Sequence, residues 1–222
     1  MASLEGPRAP AKSGTTKSLV ILLHGYGADG NDLFGLADPL SDYLPDTVFR
    51  SPNAPERSSV NPMGYQWFPI PWLDGSTDEQ RDAGFNASVD LLNAYLDEAM
   101  AEEGVPAEQT ALIGFSQGTM MSLYVAPRRA EQFAGVVGFS GRLLPDEDLS
   151  GANVKPPVLL IHGDMDEMIN VSEMSVAETA LREAGFEVSS HISRGTGHGI
   201  APDGLSLALR FLMTKFGIPL PQ

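Results

Sequence analysis

Residues 110–125 read TALIGFSQGTMMSLYV, and this stretch decides the fold. The apolar run at Ala111–Phe115 is typical of a buried strand, and a helical pattern follows it. Between them lies GFSQG, residues 114–118. In such a G-x-S-x-G pattern, the glycines allow a strained strand-to-helix turn that lifts the serine hydroxyl clear of the backbone. Ser116 is therefore a candidate nucleophile, and the Gln117 amide, at a helix N-terminus, is a candidate oxyanion donor. The alternative is an ordinary glycine-rich turn.

Strand-like runs and helical patterns alternate on both sides of this unit. Three amphipathic stretches predict helices: one ends at Gly104, one runs to about Ala184 with Ser172 or Ser175 as its cap, and one ends at Gly217. Continuous apolar strands that alternate with helices are typical of a parallel sheet covered on both faces. We therefore predict an α/β fold with a mostly parallel central sheet. The further strand candidates are Leu19–Leu23, Thr47–Ser51, Gly135–Phe139, Val158–Ile161 and Glu187–Ile192.

The chain of 222 residues is expected to form one domain. We assign that domain to residues 18–222 and expect residues 1–17, rich in small residues and proline, to be a loose N-terminal arm. The segment Pro52–Thr77 is both apolar and rich in proline, which is typical of a lid or pocket wall. Within it, Met63, Trp67 and Phe68 are candidate residues of a substrate pocket.

Charge and composition exclude several classes of function. The net charge is −15, from 14 basic and 29 acidic residues, so the protein repels phosphate backbones and we expect no nucleic-acid partner. The chain has no cysteine, which excludes disulfides and thiolate metal sites. No ligand spacing such as H-E-x-x-H is present, so we expect no metal. We find no targeting segment and no run long enough to span a bilayer, and we predict a cytoplasmic protein without stable membrane insertion.

A second glycine-rich turn follows the first apolar strand candidate. Gly25, Gly27 and Gly30 form G-x-G-x-x-G, which read literally is a dinucleotide fingerprint and makes a nicotinamide-dependent oxidoreductase the alternative from another reaction class. Two details count against it. The residues from Asp29 continue as a turn with a cap candidate at Asn31, and the next strand candidate ends without the acid that a ribose hydroxyl needs. In a hydrolase, the same loop can offer a second oxyanion N–H group.

Two later turns supply an acid and a base. Asp164, Asp166 and Glu167 follow one strand candidate, and His198 lies among glycines after the last one. On this kind of fold, a catalytic triad runs serine, acid, histidine along the chain, and Ser116, Asp164 or Asp166, and His198 have that order. Asp164 is suited to closing its own turn, so spacing gives Asp166 a modest advantage as the partner of His198.

The motifs SLVILLHGYGADGNDL, SPNAP, GFSQG, HGDMDEMI and GHGI together resemble those of the phospholipase/carboxylesterase family of α/β-hydrolases, which includes the acyl-protein thioesterases. The resemblance extends from about Leu19 to Phe216. It implies an α/β-hydrolase fold with Ser116 as nucleophile, Asp166 as acid and His198 as base. It further implies that the backbone amides of Leu23 and Gln117 are the oxyanion donors. The chain departs from the family where Trp67-Phe68 is followed by Pro69-Ile70-Pro71, at a place where members often carry an aspartate.

These observations predict a serine carboxylesterase that hydrolyses short-chain carboxylic esters through an acyl-enzyme and needs no cofactor. The apolar Pro52–Thr77 segment favours an uncharged, hydrophobic acyl group. A lysophospholipase or an acyl-protein thioesterase with the same triad is the alternative within the class. The expected partner is a small-molecule ester, and the expected oligomeric state is a monomer or a homodimer.

Overall fold

A computed structural model describes residues 4–144 and 149–220 and shows seven strands in one central sheet, in the order β1-β3-β2-β6-β7-β8-β9. All neighbouring pairs are parallel except β1 with β3. The remaining two strands, β4 and β5, form a separate hairpin. The strands are β1 (Arg8–Ala9), β2 (Ser18–Leu23), β3 (Thr47–Arg50), β4 (Glu56–Arg57), β5 (Tyr65–Gln66), β6 (Thr110–Phe115), β7 (Gly135–Phe139), β8 (Val158–Gly163) and β9 (Val188–Ser193).

Helices cover both faces of the sheet, because alternate residues of the central strands point to opposite sides. In β2, Leu19 and Ile21 belong to one apolar core, whereas Val20 and Leu22 belong to the other. Helices α4, α5 and α6 contribute to the first core, and α1, α2 and α7 contribute to the second. The predicted α/β fold is therefore confirmed. The helices are α1 (Gly30–Phe34), α2 (Ala37–Ser41), α3 (Pro71–Asp74), α4 (Asp78–Glu103), α5 (Gln117–Arg128), α6 (Ser172–Glu183) and α7 (Pro202–Lys215).

Two helix starts differ from the predicted caps. The N-cap of α6 is Val171, without a side-chain hydrogen bond, because the preceding loop fixes the first turn: Asn170 Oδ1 accepts a hydrogen bond from the Ser172 amide at 3.0 Å. The cap of α1 is Asp29 rather than Asn31. Its carboxylate can accept from two of the free amides of the first turn, which an asparagine two residues later cannot reach.

The first part of the segment before β2 packs against the sheet, whereas residues 12–17 are exposed. Arg8 and Ala9 pair antiparallel with Arg50 and Phe49, and Leu4 is buried. Beyond β3, the Ser51 amide donates a hydrogen bond to Pro7 O at 3.1 Å. The backbone groups of β3 that β2 leaves unpaired therefore find partners here. In this respect the structure differs from the expected N-terminal arm, since hydrophobicity patterns do not reveal such backbone pairing.

The apolar segment Pro52–Thr77 contains the β4–β5 hairpin and the short helix α3. It runs over the carboxyl ends of the central strands, where the Tyr65 amide donates a hydrogen bond to Ala28 O at 2.7 Å. The next helix, α4, starts in a capping box between Thr77 and Gln80 and ends, as predicted, at Gly104, which has a φ of 64°. Within residues 4–144 and 149–220, no helix combines the length and the apolar character that crossing a bilayer requires.

Two arginines from different strands hold the end of α4 against the sheet. Arg8 binds both carboxylate oxygens of Glu103 at 2.8 and 2.7 Å, and Arg50 Nε binds Oε1 at 2.7 Å. The Glu103 side chain is only 5% exposed. The hydrogen bond from Arg8, supported by Arg50, lowers the pKa of Glu103 despite the opposing effect of burial.

We expect Glu103→Gln to lower the free energy of unfolding at pH 7 by about 2 kcal/mol, since hydrogen bonds to charged groups contribute on this scale. A lowered pKa stabilises the fold above the carboxyl's ordinary pKa, and this contribution is lost as the pH falls through the folded-state value. The difference in free energy of unfolding between wild type and Glu103→Gln should therefore become smaller as the pH falls. Urea unfolding at several pH values measures this difference. A difference that stays constant down to the acid transition would contradict this assignment.

Candidate active site

The turn between β6 and α5 holds Ser116 in a strained conformation. Its φ is 53°, in the left-handed region that a non-glycine residue adopts only at a cost of about 1–3 kcal/mol. The flanking glycines make the turn possible. A Cβ atom at Gly118 would lie 1.8 Å from Leu23 O, and one at Gly114 would lie 2.5 Å from the Gly118 backbone. The Ser116 amide donates to Phe139 O at 2.9 Å, which fixes the turn to β7.

The structure brings Ser116, His198 and Asp166 into one hydrogen-bonded chain. His198 Nε2 lies 3.0 Å from Ser116 Oγ, and His198 Nδ1 lies 2.8 Å from Asp166 Oδ2. The three residues follow β6, β9 and β8, so they meet at the carboxyl end of the sheet. A carboxylate can only accept, so Nδ1 carries the proton and Nε2 is the acceptor for the serine hydroxyl. The arrangement is suited to removing a proton from Ser116.

Asp166 is held by hydrogen bonds to both of its oxygens. Oδ1 accepts from the Met168 and Ile169 amides, each at 2.9 Å, while Oδ2 accepts from His198. A second histidine, His162, is buried beside it, with Nε2 3.2 Å from Oδ2. Burial opposes the ionisation of Asp166, but the bonds from Ile169, His198 and Met168 outweigh it and lower the pKa of Asp166. The acid is therefore charged and fixed in orientation.

The two other acids of this turn have different surroundings. Asp164 Oδ1 accepts from the Gly195 amide at 2.6 Å, so it links the β8 turn to the loop that carries His198 instead of closing its own turn. Glu167 is exposed. Of the three candidates, Asp166 is the one in contact with the His198 ring.

The position of Leu23 argues against its amide as an oxyanion donor. Leu23 is the last residue of β2, fully buried, paired in register with Gly114, and absent from the lining of the cavity that contains Ser116. The lining does include Gly25 and Tyr26. Among the backbone hydrogen bonds of the described residues, none uses the Tyr26 amide. The loop that follows β2, rather than the strand itself, therefore supplies the free N–H group.

His24 determines which way that amide points. His24 Nδ1 lies 2.7 Å from Gly25 O, and His24 Nε2 accepts from the Ala54 amide at 3.0 Å. In a trans peptide the C=O and N–H groups point in opposite directions. Gly25 O and the Tyr26 N–H belong to the same peptide bond. Because Gly25 O points toward the His24 ring, the Tyr26 N–H points away from it. Burial lowers the pKa of His24, which keeps the ring neutral, as accepting from Ala54 requires.

The Gln117 side chain joins the nucleophile turn to the apolar segment. Its Oε1 accepts from the Trp67 amide at 2.8 Å, and its Nε2 donates to Phe68 O at 2.7 Å. Trp67 Nε1 in turn donates to His24 O at 3.0 Å. The Gln117 amide is the first of α5, and none of the described backbone hydrogen bonds outside regular helices and strands uses it. The two candidate donors, Gln117 and Tyr26, are thus fixed by one network.

Ser116 and His198 open into a cavity of about 1040 Å³. Of the predicted pocket residues, Phe68 lines it, whereas Trp67 is fully buried outside the lining and Met63, 80% exposed, lies outside it on the turn between β4 and β5. Phe85 and Tyr124 were not among the predicted pocket residues, because α4 and α5 present them to the cavity from distant parts of the chain. Arg142 was not predicted either, although it follows β7 as the other site residues follow their strands. The apolar lining residues include Phe68, Ile70, Trp72, Leu73, Phe85, Phe115, Met120 and Tyr124.

Metal ligation is not indicated by the side chains of residues 4–144 and 149–220, which contain no group of three or more potential ligands positioned to hold an ion. The acids and histidines of the site bind one another and backbone groups instead. His162 Nε2, for example, lies 2.8 Å from Ile169 O.

Comparisons with known proteins find relatives that are esterases and thioesterases. A sequence model described as phospholipase/carboxylesterase matches residues 5–216. The chain is 30% identical to esterase YpfH of Escherichia coli, covering 97% of this chain and 88% of that protein. It is also 30% identical to acyl-protein thioesterase 1 of Eremothecium gossypii, covering 96% and 94%. The crystal structure of esterase PE8 superposes with a TM-score of 0.90 at 44% identity, covering 96% of this chain and 99% of that one.

The buried, neutral His24 generates a prediction about pH. A histidine with a lowered pKa stabilises the fold above its ordinary pKa of about 6.5, and this stability is lost as the pH falls below that value, because the unfolded chain then binds the proton more readily. We expect wild type to lose stability between pH 7 and pH 5, and His24→Gln to be less stable at pH 7 but less dependent on pH in this range. Urea unfolding at both pH values measures this, and an equal pH dependence would contradict it.

Proposed function

The chain belongs to the phospholipase/carboxylesterase family of α/β-hydrolases and is a carboxylic ester hydrolase, and we propose that it acts as a serine carboxylesterase on short-chain esters. The observation that carries the proposal is the hydrogen-bonded chain from Ser116 Oγ through His198 to Asp166. The oxidoreductase interpretation of the Gly25–Gly30 loop is not retained, because the family is one of hydrolases and the loop lies against Ser116: a Cβ atom at Gly25 would be 3.3 Å from the serine Cβ.

Acylation begins with proton transfer from the serine. His198 Nε2 accepts the proton of Ser116 Oγ as the oxygen attacks the ester carbonyl carbon. Asp166 stabilises the imidazolium that forms and keeps Nδ1 protonated, so that Nε2 always faces the serine. His198 then donates the proton to the alkoxide that leaves. Water repeats the sequence on the acyl-enzyme and releases the acid.

The amides of Tyr26 and Gln117 are the proposed oxyanion donors, with Tyr26 in place of the expected Leu23. Both residues line the cavity beside Ser116, and the Gln117 amide also lies at the positive end of α5. One such donor stabilises the tetrahedral intermediate by about 3 kcal/mol. His24 and the Gln117 side chain hold both donors in place before substrate binds, so no reorganisation is needed during the reaction.

The aromatic side of the cavity is suited to the methylene groups of an acyl chain. Phe68, Phe85 and Tyr124 stack edge to face, with centroid distances of 5.5 and 4.7 Å, and form a rigid aromatic wall. A volume of about 1040 Å³ also accommodates longer chains. An acyl-protein thioesterase or lysophospholipase activity on the same residues is therefore the second candidate, favoured by the similarity to acyl-protein thioesterase 1.

A fluorophosphonate probe tests the nucleophile, and a p-nitrophenyl ester series tests the substrate class. We expect covalent labelling of Ser116 in wild type, no labelling of Ser116→Ala, and the highest kcat/KM for short acyl chains. Ser122→Ala, in the same helix but bonded to the Gly118 carbonyl, is the matched control and should still be labelled. Labelling that persists in Ser116→Ala would exclude the proposed nucleophile, and a kcat/KM that rises steadily with chain length would favour the second candidate.

The choice between Asp166 and Asp164 gives a separate prediction. We expect Asp166→Asn to remain folded with kcat reduced by about 10⁴, because an amide no longer selects the correct tautomer of His198. Asp164→Asn should retain most of kcat and lower the free energy of unfolding by about 1 kcal/mol through a weaker bond to Gly195. Measuring kcat and the melting temperature of both variants decides between them. The assignment is wrong if Asp164→Asn is the stable and inactive variant.

A further inference from the structure

Arg142 lines the same cavity as the nucleophile, although it is far from it along the chain. It follows the carboxyl end of β7, after Ser140 with a φ of 47° and Gly141. The backbone of Gly141 packs against the nucleophile turn so closely that a Cβ atom there would lie 3.0 Å from Ser116 O. This packing places the residue after Gly141 at the cavity, and Arg142 is one of its lining residues.

No carboxylate in residues 4–144 and 149–220 lies within ion-pair distance of Arg142. The two other arginines of the cavity are engaged: Arg81 pairs with Asp78 and Asp82, and the Arg128 guanidinium stacks on the Tyr124 ring at 3.8 Å. Within residues 4–144 and 149–220, the partly buried Arg142 therefore has no carboxylate partner, and its guanidinium is open to a ligand of the cavity.

The chemistry of this position favours a carboxylate. A guanidinium presents several N–H donors in one plane and binds a carboxylate through two parallel hydrogen bonds. The apolar side chains across the cavity can contact the methylene groups of a bound molecule, but they have no charged donor that could bind its carboxylate. Two carboxylates of the protein, Asp82 and Glu173, also line the cavity. Asp82 pairs with Arg81, whereas Glu173 opposes the binding of an anion.

We propose that Arg142 binds a carboxylate carried by the substrate itself, so that half-esters of short dicarboxylic acids are a substrate class of this enzyme. The inference rests on the proposed function and adds a specificity-determining residue to it. Water attacks the acyl-enzyme carbon, the bond to Ser116 Oγ breaks, and the serine recovers its proton from His198. The products are the alcohol and the dicarboxylic acid, whose new carboxyl group releases one proton to solution near neutral pH.

Titrating the released proton at constant pH measures the rate of hydrolysis of each ester. The substrates are the monomethyl and dimethyl esters of succinic, glutaric and adipic acids, which match in length and differ in charge. The measured quantity is the ratio of kcat/KM for the half-ester to that for the diester. We expect Arg142→Gln to lower this ratio about tenfold for at least one diacid, the scale of one charge-assisted pair, and Glu173→Gln to raise it.

Arg210→Gln is the matched control, since it makes the same change of charge at an exposed position of α7 outside the cavity and should leave the ratio unchanged. A second measurement uses only wild type, so it does not depend on whether the variant folds. Glutarate should inhibit the hydrolysis of p-nitrophenyl butyrate more strongly than butanoate does. Equal inhibition, or a ratio that is the same in Arg142→Gln and wild type, overturns the inference while the esterase proposal stands. Failure to hydrolyse p-nitrophenyl butyrate at all overturns both.

Discussion

The positive φ of Ser116 is the constraint on which the rest of the site depends. A serine adopts this conformation only where the surrounding backbone forces it, and here Gly114 and Gly118 allow β6, α5 and the end of β2 to approach within contact. The same approach puts the N-terminus of α5 beside the serine and leaves room for Gly141 against its carbonyl. The nucleophile, one oxyanion donor and the residue before Arg142 are therefore set by a single turn.

A second set of contacts gives this turn its rigidity. The Gln117 side chain binds the backbone on both sides of the Trp67–Phe68 peptide, and the Trp67 ring binds the backbone of His24. The loop after β2, the turn after β6 and the aromatic wall of the cavity are therefore joined by hydrogen bonds. Preorganised donors of this kind act on the transition state without first having to be oriented.

The parts that could be predicted from the sequence are those fixed locally. Buried parallel strands are continuous apolar runs, and chain order indicates which loops meet, so the fold and the meeting of Ser116, His198 and an acid after β8 follow. Spacing gives Asp166 only a modest advantage over Asp164, and the family resemblance implies the choice. The free amide could not be placed, because its direction depends on a hydrogen bond between the His24 ring and Gly25 rather than on spacing. Met63 and Trp67 show the same limit, since an apolar residue gives no sign of whether it faces a cavity, the core or solvent. The packing of Arg8 depends on Glu103, 95 residues away.

The two-residue strand β1 affects whether molecules of this protein associate through the edge of the sheet. It covers the outer side of β3, a strand whose exposed N–H and C=O groups would otherwise offer a template to a strand of another molecule. The opposite margin, β9, is more polar and presents the side chains of Ser189 and Ser190 to solvent. Losing the contacts of residues 4–10 would therefore uncover the more apolar margin of the sheet and promote association between chains before it affected any residue of the catalytic turn.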